Sequence, residues 1–271
     1  MRNPRMESLW IGRVAYLSWL GAAGLMMAGA CADNSQQRQE LNAGEDALRA
    51  QQYDRALRAA DDVSASGIAA DAAEAHYLRG RSIEDRPKSD PAAAKVDLAE
   101  ARRDYSLALG ESPSPALQAR LRGQLGNVAY FQEDYAVALQ QWTIAYAQLD
   151  NPQWRQWVLY RIGICQQRLG RFADADHTFA VVQEEYPDTE VAQRARARQG
   201  VHGFYVQVGV FSDANDVQKA AYAVSSAGSI AQGVDQRGLK VVRSAGLPSY
   251  SQAAALKGRL LGEYPDARVM P

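Results

Sequence analysis

The chain has 271 residues, with 30 Lys and Arg against 31 Asp and Glu, so it carries no global basic field of the kind that holds nucleic acid. A pI near 6.3 excludes the same class. Once the leader described next is set aside, the length allows one helical array plus one small domain.

Residues 1–30 read as an export signal. Arg2, Arg5 and Arg13 lead, an apolar run of 14 residues follows from Val14 to Met27, and small residues precede Cys31. Ala28-Gly29-Ala30-Cys31 fits a general Ala-x-Ala cleavage site, and it also resembles the lipobox of bacterial lipoproteins, which implies acylation of Cys31. An uncleaved anchor is the third reading, although the run is shorter than the roughly 20 residues a spanning helix needs. By the same resemblance, Ala32 after the lipidated Cys31 implies an outer-membrane address facing the periplasm. Residues 31–40, polar and Gln-rich, are then a tether. With Cys31 acylated, Cys165 has no partner, and its neighbours Ile162, Ile164 and Leu169 mark it as a buried small hydrophobe.

From residue 37 the sequence repeats. Leu125-Gly126, Tyr135, Ala138, Trp142 and Ala145 align with Ile162-Gly163, Phe172, Ala175, Phe179 and Val182 at a constant offset of 37. Pro152 and Pro187 close the two runs. Weaker copies carry Ala43-Gly44, Tyr53, Ala56, Ala60 and Val63, and then Tyr77-Leu78, Gly80, Leu98, Ala101, Tyr105 and Ala108. Small residues sit where paired helices approach closest, and larger ones fill the gap to the next pair. The pattern resembles the tetratricopeptide repeat. It predicts an all-α solenoid of four repeats over 37–70, 73–114 with an insertion at 85–91, 119–152 and 156–189, then a capping helix and linker over 190–200. By that resemblance, Tyr77, Arg81, Arg120, Asn127, Tyr130, Trp157 and Tyr160 line a groove for protein partners. Filling of the inter-repeat core by Trp157 and Tyr160 is the competing reading. Arg194, Arg196 and Arg198 read as a solvated face.

The tail, 201–271, has a different period. Phe204, Val206, Val208 and Val210 alternate with Tyr205, Gln207, Gly209 and Phe211, so one row faces inward and the other outward. A helix over about 215–227, strands near 229–236 and 239–244, a second helix after Pro248 and a last strand at 267–270 give the order βαββαβ. Val206-Gln207-Val208-Gly209-x-Phe211 resembles the first strand of the SPOR (sporulation-related repeat) family. That resemblance implies a small α+β domain, a four-stranded antiparallel sheet with both helices on one face, whose open face binds peptidoglycan glycan stripped of stem peptides. The outward residues Tyr205, Gln207 and Phe211 on the first strand and Leu239, Val241 and Arg243 on the third are the expected glycan contacts. The third strand departs from the family pattern, with Leu239 and Val241 where an aromatic and an Arg are usual.

No nucleophile-and-base pair, Walker loop or metal set stands out. His76, His177 and His202 are isolated, and Glu184-Glu185 and Asp61-Asp62 lie on repeat helices. No enzyme, metal or cofactor is expected. The expectation is a membrane-anchored adaptor that binds peptidoglycan through its tail and recruits envelope or divisome proteins through its repeats. The alternative is an outer-membrane assembly scaffold acting through the repeats, its tail a degenerate docking domain.

Overall fold

The computed structural model describes residues 35–65, 69–111, 113–236 and 238–271. The leader, Cys31 and the first residues of the tether lie outside them. The chain forms two compact units, one up to Leu117 and one from Gln118.

The first unit is helical: α1 (35–49), α2 (Tyr53–Ala65), α3 (Ala69–Asp85) and α4 (Pro91–Gly110). Residues 35–40, read as tether, are already helix. Gln37 and Leu41 are buried on one side of α1, and Arg38 pairs with Asp71 and Glu74 of α3. Packing therefore claims residues whose polarity reads as linker. Leu41, Ala47, Ala56, Ala60, Val63, Ala75 and Leu78 make the core of these first helices.

The insertion between α3 and α4 is short and pinned. Asp90 caps α4 by accepting hydrogen bonds from the amides of Ala92 and Ala93, with Pro91 at the first helical position. Arg86 at 2.5 Å and Lys88 at 2.9 Å both reach the carboxylate of Asp97. Hydrogen bonding from Arg86, joined by Lys88, outweighs burial and holds Asp97 at about 2. A carboxylate depressed in the folded state stabilises fully above its unfolded value near 4, and that contribution is lost as pH falls through the folded value. We expect Asp97 to contribute about 2 kcal/mol of the stability that wild type loses between pH 4 and pH 2. Asp97→Asn should lack this component, and urea melts at the two pH values check the difference.

In the second unit come α5 (Pro115–Phe131, counted here from Gln118), α6 (Tyr135–Gln148), α7 (Pro152–Arg168), α8 (Phe172–Glu185) and α9 (Glu190–Arg198). A Cβ built on Gly126 would clash with the Trp142 indole, and one on Gly163 with the Phe179 ring. Gly80 meets Tyr105 and Gly44 meets Leu78 and Ala59 in the same way in the first unit. The turns repeat as well. Gln51, Glu133 and Gly170 each have positive φ, of 58°, 63° and 75°, between the two helices of a pair. In each case the amide of that residue bonds three residues back and the next amide five back. Within each unit this recurrence defines tetratricopeptide-like helix pairs.

The tail follows: β1 (Tyr205–Phe211), α10 (Ala214–Ser226), β2 (Ala231–Gln236), β3 (Leu239–Ser244), α11 (Tyr250–Leu260) and β4 (Arg268–Met270). The strands form one antiparallel sheet in the order β2-β3-β1-β4. Ala220, Ala223 and Val224 of α10 join Ala253, Leu256 and Leu260 of α11 on Val206, Val208 and Val242, so both helices cover one face of the sheet.

Candidate functional site

The strand register decides which side chains reach the uncovered face. Gln207 stands opposite Arg243, but Gly209 stands opposite Val242, so β1 holds one extra residue at a bulge. Before the bulge the even residues Phe204, Val206 and Val208 are buried. After it the alternation inverts. Gly209 shares the side of Val242, which is core, and Phe211 packs against that core with its ring 6.4 Å from Tyr264. Val210, by contrast, is exposed and lies opposite Val241. Phe211 is therefore not on the open face, and Val210 is, contrary to a uniform period of two along β1.

The open face then reads across the sheet. Gln232, Val234 and Gln236 come from β2, Leu239, Val241 and Arg243 from β3, Tyr205, Gln207 and Val210 from β1, and Arg268 and Met270 from β4. Val241 is buried because Val210 and Val234 flank it on either side. The Arg243 guanidinium lies over the Tyr205 ring at 4.8 Å, and its Nε is buried without a hydrogen-bond acceptor. No carboxylate of the four strands is on this face: Asp235 points to the other side and pairs with Lys240 at 2.8 Å. The surface has an apolar centre, three amides, one aromatic ring and two guanidiniums. Such a surface suits a neutral or anionic ligand rich in hydroxyl and amide groups.

Two recesses border β1. One of about 500 Å³, lined by Gln207, Val210, Tyr264, Asp266 and Arg268, opens where β4 stops short. The other, about 490 Å³, lies beside Tyr205 and is lined by His202, Leu247, Pro248 and Pro271. Gln232, Gln236, Val210 and Arg268 were missed by sequence reasoning. The alternation of 231–236 and the paired edge at 268–270 carry a signal for three of them, whereas the bulge that turns Val210 outward has none beyond Gly209.

The repeat residues divide between the two units, Tyr77 and Arg81 in the first and the others in the second. Tyr77 stacks at 6.2 Å on the buried Tyr105, and Arg81 bonds Asp85 at 2.6 Å. In the second unit Arg120 is half-buried, and Asn127 donates to Gln124 at 2.6 Å and accepts from Arg161 at 2.6 Å. Trp157 is half-buried under the Arg194 guanidinium, 5.1 Å from its ring. Tyr160 is a correction. It is buried in the core with Phe179 and Val182 and accepts a hydrogen bond from Arg198 at 3.0 Å, so it offers no surface to a partner. Arg194 and Arg196 bond Glu190 and Gln183, while Arg198 turns inward, so the basic run is not one uniform solvated face.

Tyr130 belongs to a different assembly. With Tyr135 and Tyr250 it surrounds Arg168, whose guanidinium lies 3.8 Å from the Tyr250 centroid and 5.2 Å from that of Tyr135. Tyr250 also meets Phe204 edge-on at 5.6 Å, and Phe204 faces Phe172 at 6.3 Å. The linker is held too: Gln167 donates to the carbonyls of Arg198 and Val201, and Asp176 accepts from the amide of Gly200 and bonds His202 at 2.6 Å. Burial opposes ionisation of Asp176, but these bonds keep it below the ordinary carboxylate value. The sheet domain is thus docked on the last repeats rather than strung from them.

Among the described residues no group of three His, Cys, Asp or Glu is arranged to hold a metal, and no helix is long and apolar enough to cross a membrane. Cys165 is buried, and burial pushes its thiol up to about 12, which makes it unreactive.

Fold and site together define a helical-repeat protein ending in a small α+β sheet domain with one open face. No protein-family model and no curated protein sequence matches the chain. Among solved structures it is similar to YrrB, a TPR protein with an unusual peptide-binding site, at 22% identity over 58% of this chain and 75% of that one, with a TM-score of 0.45. The repeat assignment rests on the chain's own recurring glycine contacts and turns.

Proposed function

We propose that this chain is a non-catalytic adaptor of the cell envelope, lipid-anchored through Cys31 to the outer membrane and facing the periplasm. Its SPOR-like sheet binds peptidoglycan glycan freed of stem peptides, and its repeats recruit envelope or divisome proteins at sites of division or wall remodelling. The observation that carries the reading is the open face itself. Tyr205 offers a flat ring beneath Arg243, Gln207 lies opposite Arg243, and Gln232 and Gln236 extend the row of amides. Sugar rings stack on such a ring, and N-acetyl and hydroxyl groups pair with amides.

The face is shallow, so single contacts are modest and the anchor adds to them by raising the local concentration of wall. Tyr205→Ala should weaken retention on stripped glycan about tenfold, the worth of one good contact, with the circular dichroism spectrum unchanged. Unchanged retention would remove the sheet face from the reading. Cys31→Ser should move the protein from the membrane to the soluble fraction, and persistence in the membrane would point to an uncleaved leader.

The docking of Phe204 on Phe172 and of Tyr250 on Tyr135 favours a second reading, a scaffold whose tail buttresses the last repeats. Septal localisation that survives Tyr205→Ala but is lost on altering Trp157 would support it.

A further inference from the structure

The sheet has two edges, and they are built differently. At one, β4 has three residues between Pro265 and Pro271, and its neighbour β1 is bulged. Proline, shortness and bulges are the usual means of preventing an edge from pairing. At the other edge, β2 has six residues, Ala231-Gln232-Gly233-Val234-Asp235-Gln236, paired to β3 in unbroken register, with no proline, lysine or bulge. From Gln232 onward every residue is exposed, and among the described residues no strand lies beside the outer row of backbone amides and carbonyls.

The geometry points to self-association of this protein through β2, two copies pairing antiparallel across a two-fold axis to make one eight-stranded sheet. A two-fold perpendicular to the sheet keeps each open face open, so residues of like parity must oppose one another. With Val234 on the axis, Val234 meets its own copy, which covers a side chain that is 37% exposed. Gln232 then stands opposite Gln236, and amides are self-complementary, each donating and accepting. Asp235 faces Gly233, so no like charges are opposed, and its carboxylate stays with Lys240 of its own chain. The partner copy extends the site: Gln232, Val234 and Gln236 of both chains line the seam of one continuous face. This consequence rests on the proposed glycan reading, but the pairing does not. A repeating polymer laid across both copies would gain by avidity.

The test uses no glycan. In the full-length chain with Cys31→Ser, the buried Cys165 is the other thiol. Directly opposed strand residues have Cα atoms about 4.5–5.5 Å apart, within the range a disulfide spans. Under mild oxidation, Val234→Cys should form disulfide-linked dimers at least about tenfold faster than Leu261→Cys, an exposed control on the far side of the tail, and sedimentation should show a concentration-dependent dimer that Val234→Lys abolishes. Equal cross-linking rates for the two cysteine variants would overturn the pairing. Faster linking of Gly233→Cys than Val234→Cys would overturn the register.

Discussion

Gly126→Ala should lower the stability of the second unit by about 3 kcal/mol, whereas Gly123→Ala on the same helix should raise it by up to about 1 kcal/mol. Both changes gain the same helical propensity, because alanine is the better helix former. They differ in what the new methyl meets. At Gly123 there is nothing within 4 Å, while at Gly126 the methyl would overlap the Trp142 indole. That ring is 1% exposed, and its Nε1 donates to the Gly123 carbonyl at 3.0 Å, so it can retreat only by breaking a half-buried hydrogen bond. Overpacking and the broken bond together exceed the propensity gain. Urea denaturation followed by tryptophan fluorescence reads the pair, and equal effects at the two positions would show that the close approach of α5 and α6 is not what the glycine serves.

The second large effect is Arg168→Ala, which should cost about 3 kcal/mol and loosen the sheet domain from the repeats. The guanidinium is enclosed by Tyr130, Tyr135 and Tyr250, and its hydrogen bonds go to tyrosine hydroxyls at 3.3 and 3.4 Å. Away from water a cation over an aromatic face is worth about 2 kcal/mol or more, and the aliphatic stem adds packing. Tyr250 is the one member contributed by the tail, so a double-mutant cycle of Arg168→Ala with Tyr250→Ala should give a coupling of at least about 1 kcal/mol. Hydrogen exchange separates this from simple core loss. In wild type β1 and β3 should open together with α7 and α8, and in Arg168→Ala the strands should exchange earlier than the helices. Additive single effects with unchanged exchange order would mean that the aromatic box carries no link between the two.

Much of this architecture is legible in the sequence because it is local. The offset of 37 between Gly126 and Gly163, and between Trp142 and Phe179, reflects a contact made within each helix pair, so periodicity reveals it. The tail's elements were legible for the same reason, since period two and period 3.6 alternate cleanly there. What was not legible depends on the third dimension. The bulge in β1 costs one residue of register and leaves only Gly209 as its mark, yet it moves Phe211 into the core and Val210 onto the open face. For Tyr160 the sequence leaves groove and inter-repeat core both open, and its packing with Phe179 and Val182, with Arg198 of α9 at its hydroxyl, puts it in the core. Tyr250 reads as the first residue of an amphipathic helix, and nothing near it in sequence announces Arg168 as its partner.

The most direct test of the central claim is the retention of the purified full-length chain on wall sacculi before and after an amidase has removed the stem peptides, with Arg243→Ala alongside. The account predicts that wild type binds stripped sacculi several-fold better than intact ones and that Arg243→Ala loses most of that gain. Equal binding to both substrates, or a gain that Arg243→Ala leaves intact, would contradict a stripped-glycan site on the open face of the sheet.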